Sequence, residues 1–180
     1  MKNNLGGIAM LNNISSIVSF EEFERLYKIF EEPPYNEKFT QAEVKEIYDE
    51  LISLGHINGY YIDNELVGCI GYRKMIENEH PVHYEHPEDV AYFAEIIVLS
   101  DFRGRGIGTS MIKYMLNCLK HEGYSKVYMR TLQQGQSMSY GIAVKCGFTL
   151  MENVVQAVKG PRTVEERDEV DVRIFLEREL

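Results

Sequence analysis

The spacing of apolar residues predicts two helices in the first third of the chain. Between Phe20 and Phe30, apolar side chains recur every three or four residues, and a pair of prolines then ends the pattern. Thr40, followed three residues later by Glu43, has the sequence of a capping box, and a second apolar stripe runs from there to about Gly55. We therefore expect two helices joined by the loop EPPYNEKF.

Runs of aromatic and β-branched residues predict the strands. INGYYI and LVGCIGYRKMI flank Asp63 and Asn64, which are favoured turn residues, and together they predict a hairpin. Four later runs predict further strands: VAYFAEIIVL, KVYMRTL, FTLMENVVQAV and VDVRIFL. Helices are expected from Ile107 to His121 and over SMSYGIAVKC, which ends at Gly147. The order α, α, β, β, β, α, β, α, β, β predicts an α/β fold built on a mixed sheet.

Length and charge narrow the function classes. The 180 residues, 44% of them hydrophobic, suit a single domain over 1–180, and 19 basic against 28 acidic residues leave a net charge of −9. This charge disfavours nucleic acid and anionic membrane as partners. The sequence also lacks a long apolar run and a convincing signal peptide, and its three cysteines form no CxxC pair. We therefore expect a cytoplasmic protein that does not bind membranes.

A glycine-rich turn carries the most informative chemistry. It lies between the strand that ends near Leu99 and the helix expected from residue 107, and it comprises Arg103, Gly104, Arg105, Gly106, Ile107, Gly108 and Thr109. Glycines let backbone N–H groups approach a ligand, and a helix N-terminus favours an anion, most naturally a pyrophosphate. The chain contains no P-loop motif, and Thr109 stands where a dinucleotide-binding fingerprint has its third glycine.

The string RxxGxG that begins at Arg103 resembles the acyl-CoA loop of the GNAT superfamily of N-acetyltransferases. The resemblance extends over most of the chain. It includes Ile96 and Val98 before the loop, the helix and strand after it, and Gly147 with Phe148 near the end of the pattern. It implies a GNAT-like fold, with a central mixed, largely antiparallel sheet flanked by helices on both faces. It also implies acetyl-CoA as co-substrate.

Carried over by position, the resemblance assigns the acyl-CoA contacts to two segments. Backbone groups of Ile96, Ile97 and Val98 would meet the acyl and pantetheine part, and those from Arg103 to Thr109 would hold the pyrophosphate. In the family, the strand that holds Val98 separates from the next one to admit pantetheine. The acceptor would accordingly enter beside Glu95 and Met129.

Two residues are candidates for proton transfer. Glu95 lies within an otherwise apolar strand, where burial raises a carboxyl pKa and suits it to act as a base; the alternative is a structural carboxylate. At the position of Ala143, many family members carry a tyrosine that can protonate the departing thiolate. Tyr140, three residues earlier and on nearly the same helix face, could replace that tyrosine, or could be a packed aromatic residue.

The acceptor is expected to be an amine of a small molecule or a peptide. By resemblance, the loop EPPYNEKFT shapes its pocket, where Tyr35 would supply an aromatic wall and Glu37 negative charge; a merely solvated loop is the alternative. The hairpin at residues 160–162 could also border the pocket.

Three histidines, His80, His83 and His86, suggest a solvated loop rather than a metal site.

The leading functional hypothesis is acetyl transfer from acetyl-CoA to an amine by direct attack in a ternary complex. A non-catalytic acyl-CoA-binding module or sensor is the alternative that the missing tyrosine raises. A domain that binds NAD or a nucleoside phosphate is a third hypothesis.

The last predicted strand, VDVRIFL, could leave an exposed sheet edge that pairs with a second chain and forms a homodimer.

Overall fold

The computed structural model describes residues 13–15, 19–33, 35–132, 137–159 and 170–180. Within these ranges the chain forms seven strands and four α-helices. The strands are β1 (Ile14–Ser15), β2 (Gly55–Ile62), β3 (Glu65–Lys74), β4 (Val90–Val98), β5 (Lys126–Leu132), β6 (Thr149–Lys159) and β7 (Val170–Glu179). The α-helices are α1 (Phe20–Tyr27), α2 (Gln41–Leu54), α3 (Ile107–His121) and α4 (Met138–Lys145). No helix of the described segments is long and apolar enough to cross a membrane.

The strands form one mixed sheet in the order β1-β2-β3-β4-β5-β7-β6. Among the described strands only β4 and β5 pair in parallel, and all other neighbours are antiparallel. The predicted mixed, largely antiparallel sheet is thus confirmed. The expectation that VDVRIFL leaves an exposed edge is wrong, because β7 inserts between β5 and β6 and hydrogen-bonds to both. A homodimer stays a prediction, without support from that edge.

Strand β4 contains an irregularity at the centre of the sheet. Its register with β3 pairs Gly71 with Glu95 but Tyr72 with Phe93, so Ala94 is an extra residue that forms a β-bulge. The parallel pairing with β5 extends only from Val90 to Phe93, which faces Met129. Beyond this point β4 and β5 are no longer paired, as the family resemblance implies.

Helices cover both faces of the sheet and enclose separate apolar clusters. On one face, α3 and α4 pack against a cluster that includes Phe93, Met111, Val127, Met129 and Leu176. On the other face, α1 and α2 cover β2, β3 and β4, and the segment of residues 75–84 covers β4, β5 and β7. The second face therefore has two apolar clusters with polar residues between them, described with the site below.

Local signals account for most element boundaries. Ser19 with Glu22, and Thr40 with Glu43, form the capping boxes that begin α1 and α2. The first helix is shorter than predicted, because the α-helix ends at Tyr27 and continues as a 3₁₀ turn to residue 31. The hairpin turn and the limits of α3 agree with the prediction.

One of the three histidines differs from the solvated loop expected there, whereas His83 and His86 are exposed as expected. His80 is buried, with 4% of its surface exposed, and its Nδ1 lies 3.0 Å from the Tyr128 hydroxyl oxygen. Its ring also packs against the ring of Tyr92, with centroids 4.7 Å apart. His80 is therefore part of the apolar cluster over β4 and β5, and burial lowers its pKa to about 4.

The close approach of β3 and β4 requires glycine at position 68. A Cβ atom there would lie 2.6 Å from the carbonyl oxygen of Ile97, whereas a Cβ at Gly141 on α4 would meet open space. We expect Gly68→Ala to destabilise the protein by about 1–3 kcal/mol. Gly141→Ala should stabilise it by up to about 1 kcal/mol, because alanine favours a helix. Urea unfolding of both variants checks this, and equal effects would contradict the strand spacing.

Candidate active site

The glycine turn before α3 leaves open space for a ligand. Gly104 and Gly106 have φ angles of 74° and 81°, and a Cβ at either position would have no heavy atom within 4 Å. Gly106 is also the N-cap residue of α3, without a side chain to cap the helix. Backbone N–H groups at this end are available to an anion, and the helix dipole favours one. The turn thus fits the pyrophosphate that the motif predicts.

The two arginines of the turn bind the protein backbone. Arg103 Nε donates a hydrogen bond to the carbonyl oxygen of Val98 at 3.0 Å. An Nη atom of Arg105 donates to the carbonyl oxygen of Asp101 at 2.9 Å, and the guanidinium lies 5.2 Å from the centre of the Phe102 ring. These side chains hold the loop against β4, which leaves the backbone to face the ligand.

A cleft of about 310 Å³ extends from the glycine turn along the end of β4. Most of the predicted cofactor-binding residues line it: Ile96, Ile97, Val98, Arg103, Gly104, Gly106, Ile107, Gly108 and Thr109. Tyr35, predicted for the acceptor pocket, lies on its opposite wall with Ile29 and Phe30. Ser139, Ile142 and Lys145 of α4 complete it. One cleft therefore extends from the anion-binding turn to residues 96–98 of β4, which lie beyond the last residue of β4 that pairs with β5.

Glu95 lies on the α1 side of the sheet, partly buried next to the end of the cleft. The Tyr27 hydroxyl donates a hydrogen bond to its Oε1 at 2.8 Å. Burial raises the pKa of Glu95 to about 7, although the Tyr27 hydrogen bond and the positive charge of Arg130 oppose this shift. The carboxyl group can therefore both hold and release a proton near neutral pH.

Polar residues surround Glu95 between the two apolar clusters. Glu37 pairs with Arg173 of β7 at 3.5 Å, and Arg130 of β5 donates a hydrogen bond to Gln156 Oε1 of β6 at 3.1 Å. We call these residues, Glu37, Glu95, Arg130, Gln156 and Arg173, the polar gap. The predicted residues Glu95 and Glu37 thus belong to one group, on the opposite face of the sheet from the α3 and α4 core.

The α4 side of the separated strands carries hydroxyl groups. Ala143, at the family's tyrosine position, is fully buried, and Tyr140 packs against the same α3 and α4 core. Ser139 lines the cleft, and its Oγ lies 2.7 Å from Thr131 Oγ1 and 2.5 Å from Ser137 Oγ. Met129 is buried in the α3 and α4 core at the last paired position of β5. The roles predicted for Tyr140 and Met129 stay predictions.

Several residues of the site were not among those predicted from the sequence. Arg130, Gln156 and Arg173 lie on three strands that meet only through the sheet order. Within each strand, alternation with apolar neighbours could have indicated a shared face, but not which residues become adjacent.

The hairpin at residues 160–162 lies outside the described residues. Within the described part of the chain, no three His, Cys, Asp or Glu side chains gather in a group that could hold a metal ion.

A mixed sheet whose parallel strands separate beside a glycine turn and a long helix is typical of acetyltransferase folds. The family model described as "Acetyltransferase (GNAT) family" matches residues 21–148, more than half of the chain. The chain therefore belongs to the GNAT acetyltransferase family. A search of curated proteins found no significant match.

Solved structures share the fold at low sequence identity. An N-acetyltransferase from Staphylococcus aureus Mu50 superposes with a TM-score of 0.69 and 13% identity, over 92% of this chain and 96% of that chain. A Bacillus subtilis acetyltransferase in complex with CoA has a TM-score of 0.65 and 16% identity, over 93% and 98%. A Salmonella typhimurium protein solved with acetyl-CoA has a TM-score of 0.67 and 11% identity, over 93% and 92%. The family match supports an acetyltransferase activity, and the solved structures show that the fold is shared.

The raised pKa of Glu95 makes stability depend on pH in a defined direction. The unfolded chain releases this proton near the ordinary pKa of 4.5, whereas the folded protein keeps it up to about pH 7. The contribution of the neutral carboxyl to the free energy of unfolding is complete below pH 4.5 and is lost as the pH rises to 7. Glu95→Gln should therefore become progressively more stable than the wild type across this window, with a constant difference outside it.

Urea unfolding between pH 4 and pH 8 measures this difference. Glu46→Gln, at an exposed position of α2, shows what the same substitution does where the side chain faces solvent. A Glu95→Gln difference that stays flat between pH 4.5 and pH 7 would contradict the raised pKa.

Proposed function

We propose that this protein is an acetyl-CoA-dependent N-acetyltransferase that transfers an acetyl group to an amine by direct attack in a ternary complex. The single observation that carries the proposal is the continuity of the cleft. The cleft runs from the open glycine turn at Gly104 and Gly106 to residues 96–98 of β4, beyond the end of the pairing with β5. Glu95, which precedes these residues, lies on the other face of the sheet. The donor and the acceptor could thus meet from opposite faces.

The residues of the cleft fit acetyl-CoA as the donor. Open space at the glycine turn would admit the pyrophosphate, and the N-terminus of α3 would stabilise its charge. Lys145, on the opposite wall of the cleft, would add positive charge. Beyond Phe93, β4 lacks its neighbour β5, so backbone groups of residues 96–98 would be accessible to the amide groups of pantetheine. Acetyl-CoA would supply the activated thioester.

Glu95 is proposed as the general base. The attacking nitrogen must lose a proton, and Glu95 would accept it directly or through a water molecule while the new C–N bond forms and the C–S bond breaks. Its pKa of about 7 suits this role, because a weaker base would not accept the proton and a stronger one would be protonated already. Tyr27 would hold the carboxylate in place through its hydrogen bond.

The departing thiolate requires stabilisation or a proton from the protein or solvent. Tyr140, which packs against the α3 and α4 core, is one candidate. The Ser139 hydroxyl, which lines the cleft and interacts with Thr131 and Ser137, is a second donor within the same region. Either group could donate a hydrogen bond to sulfur, and a thiolate with a pKa near ~8.5 is a fair leaving group without full protonation.

The wider functional setting is also proposed. We infer a single domain over residues 1–180, a cytoplasmic location and a small-molecule or peptide amine as acceptor, without nucleic acid or membrane partners. Family membership does not favour the non-catalytic binding module. A base of suitable pKa beside the cleft further supports an enzyme.

Replacing Glu95 should separate catalysis from donor binding. We expect Glu95→Gln to lower kcat by about 10²–10⁴-fold, as expected for loss of a general base, with little change in acetyl-CoA affinity. Free thiol release and calorimetry measure the two quantities, and Glu46→Gln is the matched control. In the wild type, kcat/KM for the acceptor should rise with pH through about 7, because this quantity reports the pKa of the base in the free protein. Retention of full activity by Glu95→Gln would exclude the proposed base.

Two glycines with the same backbone conformation test the donor site. Gly106 and Gly123 both have positive φ, 81° and 92°, and both have open space around a built Cβ. Alanine at either position should cost about 1 kcal/mol of stability through left-handed strain. Only Gly106→Ala should also weaken CoA binding, by about tenfold or more, because its Cβ would occupy the space proposed for the pyrophosphate. Equal CoA affinity in both variants would contradict this location.

A further inference from the structure

When Glu95 is protonated, the polar gap has two positive charges, on Arg130 and Arg173, against one negative charge, on Glu37. Glu37 and Arg173 pair with each other, so their charges balance. Glu95 contributes a negative charge only when it is ionised. When Glu95 is neutral, Arg130 is therefore an unbalanced cation beside it, on the side of the sheet from which the acceptor would approach.

Arg130 is held in position without a carboxylate partner. An Nη atom donates to Gln156 Oε1 at 3.1 Å, and within the described ranges no carboxylate oxygen lies within 4.0 Å of its guanidinium nitrogens. Strand β7 pairs with β5 at this position, through Phe175. A guanidinium has five donors, and one neutral amide accepts at only one of them here. The remaining donors suit a bidentate contact with a planar anion.

The two strands set a short distance between the base and this cation. Phe93 and Met129 are the last paired residues of β4 and β5, and Glu95 and Arg130 follow them on the same face of the sheet. Neighbouring strands lie about 4.8 Å apart where they pair, and these two are only beginning to separate. An acceptor that reaches both residues therefore has its anionic group within a few bonds of its amine.

The charge arrangement also disfavours a polycation. A second ammonium group on the acceptor would come close to Arg130 and Arg173 in a partly buried region, where like charges repel strongly. An acceptor with one amine and one carboxylate would instead place its negative charge at Arg130 and its nitrogen at Glu95. Such a molecule matches the charges of both residues.

We propose that the acceptor is a small amino acid whose carboxylate binds Arg130, held by Gln156, while its amine faces Glu95. This inference rests on the proposed acetyltransferase function and specifies its substrate class. It distinguishes amino acids from polyamines, from amines without a carboxylate and from protein N-termini, in which the corresponding carboxylate is an amide.

The test compares the standard amino acids with the amines that lack their carboxylate. Thiol release from acetyl-CoA gives kcat/KM for each, and calorimetry on the CoA-bound protein gives their affinities. We expect at least one amino acid to exceed its amine by about tenfold or more in both measurements, because a site that binds a polar group discriminates against an analogue without it. Arg130→Gln should raise the KM for this amino acid and remove the preference, with the KM for acetyl-CoA unchanged.

A matched variant guards against a general effect of lost charge. Arg178→Gln removes an arginine from β7 on the other face, near Gly147, and should keep the preference. Arg130→Lys should restore part of it, because a lysine keeps the charge but not the bidentate geometry. Thermal unfolding shows whether each variant is folded, and the wild-type comparison stands without any variant.

The outcomes separate this inference from the function on which it rests. Turnover of amines without any advantage for the carboxylate overturns the inference and leaves the acetyltransferase function intact. The same conclusion follows if CoA-bound protein binds amino acids no better than their amines. Failure of acetyl-CoA both to bind and to turn over with any amine overturns the proposed function itself.

Discussion

The short parallel pairing of β4 and β5 determines the arrangement of the rest of the site. Its four paired positions hold the two halves of the sheet together up to Phe93 and Met129. Beyond them, backbone groups of both strands lose their mutual partner, which a protein tolerates only where water or a ligand can satisfy them. The bulge at Ala94 lies at this same point. The glycine turn, α3 and the cleft all follow directly from the end of β4.

The bulge decides on which face the proposed base lies. In a regular strand Glu95 would share a face with Phe93, which packs in the α3 and α4 core. The extra residue Ala94 reverses this alternation, so Glu95 faces α1 and accepts the Tyr27 hydrogen bond, while Ile96 faces the α3 side again. Donor and acceptor can therefore approach from opposite faces of one sheet. A one-residue irregularity thus separates the two binding regions.

Patterns within single elements could be predicted from the sequence, whereas relations between elements could not. The capping box at Thr40, the limits of α3 and the glycine turn depend on residues close in sequence, and the structure agrees with them. The position of the last strand depends on sheet order, which its own pattern does not contain, and its expected exposed edge was wrong. Arg130 could not be assigned to the site from the sequence for the same reason, because its neighbours Gln156 and Glu95 belong to other strands.

Opposing effects hold the pKa of Glu95 near neutrality, and the positive charge of Arg130 is one of them. Arg130 would therefore affect the base as well as bind the acceptor. Burial alone favours the protonated carboxyl, which cannot accept a proton, while the Tyr27 hydrogen bond and the charge of Arg130 favour the ionised form. An acceptor carboxylate bound to Arg130 would neutralise part of that positive charge and so raise the pKa of Glu95. The base would then become stronger when the acceptor is bound, which couples recognition of the carboxylate to removal of the amine proton.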